Sequence, residues 1–254
     1  MAEPSCVRAD QIILGTMRLH ETSRSLDEWL EFFVAVHRLG IRTLHSSSEY
    51  ESFELLRDIL DALSKAAPDL SFGHVVKLAE PGFDDAEFDG QRMIDHVDDY
   101  RSSLGVDHIE CVQWMWRAGL ADDVARVQSF AVAEPEMQSV FRALKTTSAV
   151  GEFLCFPYST HFAERAVQSP MIDGLTVYRN RNEREYDGAI DACAEAGKKV
   201  TIIRPFDAGA CFTAHGADAR SLLSDALEKP AITAAILSSS NLAHLGALVT
   251  EARA

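Results

Sequence analysis

Gln11-Ile12-Ile13-Leu14-Gly15-Thr16-Met17-Arg18-Leu19 is an apolar run that ends at one glycine and passes into polar residues. A run this short and this rich in Ile and Leu reads as a parallel strand buried on both faces. The turn after this strand decides between two folds. An open, doubly wound sheet that holds a dinucleotide carries a glycine-rich turn after its first strand. Here that turn offers Gly15 alone, so the fingerprint is absent.

With Gln11–Gly15 counted first, seven further runs of the same kind appear along the chain: Arg42–Ser46, Ser71–Leu78, His108–Trp116, Gly151–Phe156, Gly174–Arg179, Lys199–Phe206 and Ile232–Leu237. Between them lie stretches with apolar residues at three- and four-residue spacing. In Ser25–Leu39 the residues Leu26, Trp29, Leu30, Phe33, Val34 and His37 recur on one side of a helix. Ser25 with Glu28 forms a capping box at its start. Later helices are expected to begin near Ser52, Asp89, Glu136, Thr160, Glu183, Asp218 and Asn241, with Pro135 in a first turn. Eight strands and eight helices in strict alternation are the composition of a closed α/β barrel, a (β/α)8 TIM barrel with short loops. The chain has 254 residues, the usual length of that barrel, and shows no linker and no fixed-period repeat. A single domain over residues 1–254 is expected.

Hydrophobic residues make up 47% and charged residues 25%, which fits a globular protein and not a disordered one. The net charge of -15 disfavours nucleic acid and anionic membranes as partners, because both carry the same sign. No apolar run reaches about 18 residues, and MAEPSCVRAD lacks a basic stretch followed by an apolar block. A cytoplasmic location is expected. Cys6, Cys111, Cys155, Cys193 and Cys211 are scattered without CxxC spacing and read as reduced thiols, Cys111 and Cys155 as core residues. No Cys/His cluster has the spacing of a zinc site, so no metal is expected. Oligomeric state is not written in the sequence.

Chemistry in such a barrel sits at the C-terminal ends of the strands. The polar residues expected there are His45 and Tyr50 after strand two, Lys77 on strand three, and Gln113, Met115, Trp116 and Arg117 on strand four. Strand seven ends in Arg204-Pro-Phe-Asp207, and strand eight in Ser238-Ser239-Ser240-Asn241. Asn241 suits an N-cap, and this part of a barrel is a frequent phosphate site.

In order along nearly the whole chain, these segments resemble the aldo-keto reductases. IILGTMRL is similar to that family's first strand, and GIRTLHSSSEY resembles its G-hydrophobic-DTAxxY motif. HVVKL is similar to its strand-three lysine segment, and SLGVDHIECVQWMWR to SLxxLxxDYIDLYxLHWP. GLTVYRNRNERE resembles the sixth strand, IIRPFDAGA the seventh, and ILSSSNLAHL the eighth, which reads like GTSNPEHL. The resemblance implies reduction of an aldehyde, ketone or sugar-like carbonyl with a nicotinamide cofactor, NADP or NAD. It makes Tyr50 the proton donor and Lys77 its tuning partner: a phenol with a pKa near 10 is a poor acid at neutral pH, and a nearby ammonium lowers that pKa.

Two positions depart from the pattern. His45 stands where the family has aspartate, and Met115 where it has histidine. Methionine supplies no hydrogen-bond donor, and one such donor is worth roughly 3 kcal/mol of transition-state stabilisation. Leu154 and Cys155 stand where a Ser-Asn pair follows strand five. The resemblance further implies cofactor contacts at Arg204, Ser238, Ser239, Ser240 and Asn241, a pocket lined by Met115 and Trp116, and a share of the missing roles for His45. A basic residue near the last helix usually meets a 2′-phosphate, and here that helix carries only His244 and, later, Arg253. The trimmed stretch Ala118–Pro135 is a candidate local cover. The departures also support a second reading, a degenerate barrel (a pseudoenzyme) that binds a cofactor, metabolite or protein without turnover. A third is a barrel recruited for another acid/base step.

Overall fold

The computed structural model describes residues 7–249, so Cys6 and Arg253 lie outside it. Eight strands run in the order β1-β2-β3-β4-β5-β6-β7-β8 and close into a parallel barrel. They are β1 Ile12–Gly15, β2 Thr43–Ser46, β3 Gly73–Ala79, β4 Ile109–Met115, β5 Val150–Phe156, β6 Gly174–Tyr178, β7 Lys199–Ile203 and β8 Ile232–Leu237. The helices are α1 Leu26–Arg38, α2 Phe53–Ala66, α3 Gly90–Leu104, α4 Asp123–Thr146, α5 Thr160–Gln168 and α6 Asp187–Glu195. They continue with α7 Ala210–His215, α8 Ala219–Ala226 and α9 Leu242–Leu248. The expected alternation holds, with two helices rather than one after β7. No helix among the described residues is long and apolar enough to cross a membrane.

Internal contacts divide the chain into two compact units. The first takes in the chain up to His74, Tyr178–Arg184 and the chain from Ile202; the second takes in Val75–Val177 and Glu185–Thr201. In the first, β1 pairs with β2 through Gly15 and His45 and with β8 through Leu14 and Leu237. A Cβ on Gly15 would lie 2.5 Å from Ser238 Oγ, so the missing side chain leaves room for that serine. Helix α1 buries Trp29, Phe32, Phe33 and Val36. This corrects the expected stripe: Leu26 is exposed and Val34 only half-buried. The apolar arc of α1 is wide, and its three aromatics decide which side is buried by packing edge-on at 5.6–6.4 Å.

In the second unit, Ala79 pairs with Met115 and Met115 with Phe156, which aligns the ends of β3, β4 and β5. Trp114, Trp116, Phe130, Phe141, Phe153 and Phe162 form an aromatic core. The helix expected near Glu136 begins instead at Asp123, capped by Asp122, and runs straight through Pro135. Proline cannot donate to the carbonyl of Ala131. Both residues are exposed, so water can donate in its place. The buried residues Arg126, Phe130, Met137, Phe141 and Leu144 keep one stripe on either side of the proline. The stretch Ala118–Pro135 is therefore mostly the first half of α4.

Two further boundaries move. The helix expected near Glu183 starts at Asp187, because Asn180 Oδ1 accepts the amides of Asn182 and Glu183 and holds a turn there. Strand β7 stops at Ile203, because Arg204 takes φ 55, a left-handed conformation that ends the ladder.

Candidate active site

At the ends of β1 and β2, short side chains fix the loop that carries Tyr50. The Thr16 amide and hydroxyl both donate to the His45 carbonyl at 3.0 Å. Ser52 precedes α2 but does not cap it; its hydroxyl donates to the Thr16 carbonyl at 2.8 Å. The Tyr50 amide donates to Ser47 O, and the Phe53 amide to Tyr50 O. The loop between β2 and α2 is thus tied to β1 at both ends. His45 is 5% exposed, Tyr50 is half-buried, and their rings lie 6.0 Å apart at 57°.

The loops after β6, β7 and β8 belong to the same unit. The Arg204 guanidinium lies 5.3 Å from the Tyr178 ring and pairs with Asp207 at 2.8 Å and Glu183 at 3.7 Å. Asn180 Nδ2 donates to the Arg204 carbonyl at 2.9 Å, which pins the bend that ends β7. Asn241 Oδ1 accepts the amides of Ala243 and His244 and so caps α9, while Ser239 Oγ accepts the Asn241 amide. The Ser240 hydroxyl meets Thr22 at 2.8 Å, and its carbonyl accepts from Arg24 Nη2 at 2.6 Å. Arg24 lies over Trp29 and Phe32. Its Nη1 is buried and has no hydrogen-bond partner among the described residues.

Sequence reasoning missed Arg24. The last helix itself offers only His244 among the described residues, whereas the fold delivers a guanidinium from the loop before α1. The loops of this unit thus carry two guanidinium groups, Arg24 beside Ser240 and the half-exposed Arg204 over the Tyr178 ring.

In the second unit, Lys77 is half-buried on β3, opposite Gln113 of β4, and its carbonyl accepts from the Tyr100 hydroxyl at 2.8 Å. Met115 and Trp116 are 0% and 1% exposed, packed inside the unit rather than on an open wall. Trp114 Nε1 donates to the Glu80 carbonyl at 2.7 Å, whereas Trp116 Nε1 has no partner among the described residues. Beyond the end of β5, Tyr158 donates to Met115 Sδ at 3.3 Å and accepts from Arg117 Nε at 3.0 Å. Tyr158 was also missed, since a tyrosine after Phe-Pro carries no local signature. Burial pushes the Cys111 and Cys155 thiols far up and the Cys193 thiol up to about 11, which leaves them inert. Among the described residues, no group of three His, Cys, Asp or Glu side chains is arranged to hold a metal ion.

No protein-family model and no curated protein matches the chain. Solved structures do. A candidate aldo-keto reductase from Pseudomonas aeruginosa is 20% identical, with TM-score 0.71 over 94% of this chain and 87% of that one. An aldo-keto reductase from Bacillus halodurans in its holo form is 13% identical, with TM-score 0.71 over 96% and 87%. One from Klebsiella pneumoniae, in complex with NADP and acetate, is 14% identical, with TM-score 0.69 over 95% and 87%.

The fold is that of the aldo-keto reductases.

Within the aldo-keto reductase fold, the positions that depart from the motif are both buried. His45 is held by its backbone to Thr16, and Met115 is in contact with the Tyr158 hydroxyl.

Proposed function

We propose that this chain is an oxidoreductase of aldo-keto reductase type that reduces the carbonyl of a small aldehyde, ketone or sugar-like substrate with a nicotinamide cofactor. The observation that carries the proposal is the likeness over at least 94% of the chain to aldo-keto reductase structures, one of them holding NADP. A bound reduced nicotinamide supplies hydride to the carbonyl carbon. The protein's own residues have the remaining tasks. Tyr50 gives its phenolic proton to the oxygen that becomes the alcohol. The family resemblance assigns Lys77 the task of favouring the phenolate, which an ammonium does for a phenol. His45, beside the Tyr50 ring, orients it.

Arg204 on Tyr178 and the loop Ser238–Asn241 would hold the cofactor, with Arg24 beneath Ser240 as the cation for a phosphate. That cation favours NADP over NAD. Met115 and Trp116 would back the substrate pocket from within, not line it.

The test is a titration of the folded protein with NADPH and with NADH, followed by tryptophan fluorescence, and then turnover of small aldehydes. NADPH binding in the micromolar range and tighter than NADH is expected. Tyr50→Phe is expected to lower kcat by at least about a hundredfold without weakening NADPH binding. Full turnover in that variant would remove Tyr50 from its role.

A specific observation favours a second reading. Met115 is fully buried and His45 nearly so, at the two positions where the motif calls for a donor and a carboxylate. A barrel that binds cofactor and never turns over is the consequence, and NADPH binding without reduction of any aldehyde would establish it.

A further inference from the structure

We infer that Ser52 is a positioning residue for Tyr50: its hydroxyl, bonded to Thr16, holds the loop that presents the phenol as an acid. The inference rests on the reductase reading and adds to it a residue that the motif comparison does not contain.

The argument begins with a cap that is not made. A serine just before a helix ordinarily caps it, its oxygen accepting an amide of the first turn. Ser52 stands in that place before α2 and makes no such bond. Its backbone takes φ -82 and ψ 0 rather than the extended conformation of a capping residue. The hydroxyl, fully buried, donates instead to the Thr16 carbonyl at 2.8 Å, at the end of β1. Helix α2 thus starts without the cap its sequence offers, and the hydroxyl serves the loop before it.

Thr16 is the fixed point of that loop. Its amide and hydroxyl both donate at 3.0 Å to the carbonyl of His45, which precedes Tyr50. Its own carbonyl accepts from Ser52, which follows Tyr50. One residue at the end of β1 therefore grips the chain on both sides of the tyrosine. Between the grips the chain makes two successive turns. The Tyr50 amide donates to Ser47 O at 3.0 Å, and the Phe53 amide to Tyr50 O at 2.9 Å. Ser48, Glu49 and Glu51 are exposed and Tyr50 is half-buried, so this stretch has little apolar packing to hold it. Its hydrogen bonds set where Tyr50 lies, and the Ser52 bond ties its far side to the end of β1.

Proton transfer demands such precision. A phenol must come within about 2.6–3.2 Å of the oxygen that it protonates, and a displacement of about 1 Å costs about a hundredfold in rate. Ser52 gives no proton to the substrate; it acts through Tyr50. Loss of its hydroxyl strands no buried acceptor, because the Thr16 carbonyl also accepts the Leu19 amide at 3.1 Å. Removal of the hydroxyl therefore harms catalysis more than stability.

The experiment measures NADPH-dependent reduction of small aldehydes by the wild type, Ser52→Ala, Ser52→Thr, Tyr50→Phe and the double variant Ser52→Ala/Tyr50→Phe. Melting temperature and NADPH affinity are measured on each. Ser52→Ala is expected to lose at least about tenfold in kcat, with KM and NADPH affinity within about threefold of wild type. Ser52→Thr, which keeps the hydroxyl, is expected to hold kcat within about threefold of wild type. In the Tyr50→Phe background, Ser52→Ala is expected to change kcat by less than about twofold, because the phenol it positions is gone. A merely structural serine would lower kcat alike in both backgrounds, and that result overturns the inference. If Ser52→Ala fails to fold, Ser52→Cys, whose thiol donates weakly, takes its place in the same comparison. A kcat for Ser52→Ala within about twofold of wild type overturns this inference only. Absence of wild-type turnover overturns it together with the reductase reading, and full turnover in Tyr50→Phe overturns it together with the role of Tyr50.

Discussion

The ends of β4 and β5 and the end of β8 are built on opposite principles. The first region is packed shut: Trp114 and Trp116 are buried among Phe130, Phe141 and Phe162, Met115 between them is fully buried, and even the cation Arg117 is covered. The second is open and polar: Ser239 and Ser240 are only partly covered and Asn241 is exposed, held by hydroxyls, a cap and one guanidinium. The difference separates two jobs. A packed region can fix a donor to a fraction of an ångström, while an open one can accept a large ligand and release it. The residue types suit those jobs, aromatics for rigidity and serines for adaptable hydrogen bonds.

The largest expected effect lies in the packed region. Phe130 is fully buried against Trp114, Trp116 and Phe162, so Phe130→Ala should cost about 3–5 kcal/mol in denaturant unfolding. A cost below about 1.5 kcal/mol would break the comparison, because the aromatic core would then be soft. The same melts ask whether the chain unfolds in one transition; residues 1–254 as a single domain predict that it does.

Acid gives the next effect. His74 is 2% exposed, and burial lowers its pKa to about 4. The unfolded chain takes up this proton first, near pH 6.5, so stability holds above that pH. It falls as pH drops from about 6.5 to about 4, by roughly 3 kcal/mol in all. His74→Gln should flatten that slope in denaturant midpoints measured across this range. An unchanged slope would show that His74 is charged in the folded protein.

The smallest effect sharpens the comparison from the open side. Asn241→Ala removes the cap of α9 and should cost about 1 kcal/mol, read as a fall of about 2–4 °C in melting temperature. A loss as large as that of Phe130→Ala would mean that the β8 end is packed like the β4 end.

The strands were legible because a strand buried on both faces must be a short apolar run, and all eight runs fall within a few residues of their positions. Helix starts were legible where a cap marks them, as at Ser25, Asp89 and Asp218. They were not where a rule has a local exemption. Pro135 reads as a first turn, yet on an exposed face water can replace its missing bond. Asn180 makes a turn that delays α6, and nothing in its neighbours announces this. At the site, Tyr50 and Lys77 could be picked out because they recur in a motif, and Met115 and Trp116 because they end a strand. Trp116 packs against Phe130 of α4, whose first half the proline disguises. Arg24 and Tyr158 were invisible for a plainer reason. Their roles come from partners that other elements bring to them, and local spacing does not encode such partners.

The bond from Arg24 to the Ser240 carbonyl joins residues 216 apart in the chain, and Thr22 meets Ser240 across 218. On a ribosome adding about 5–20 residues per second, Arg24 waits roughly 10–45 seconds for its acceptor to be made. Until then its guanidinium has only Trp29 and Phe32 to rest on. Closing so long a loop is slow and comes late in folding. The proposed cofactor cradle is thus among the last parts of the protein to exist, and a nascent chain cannot capture the cofactor before nearly all of it has been synthesised.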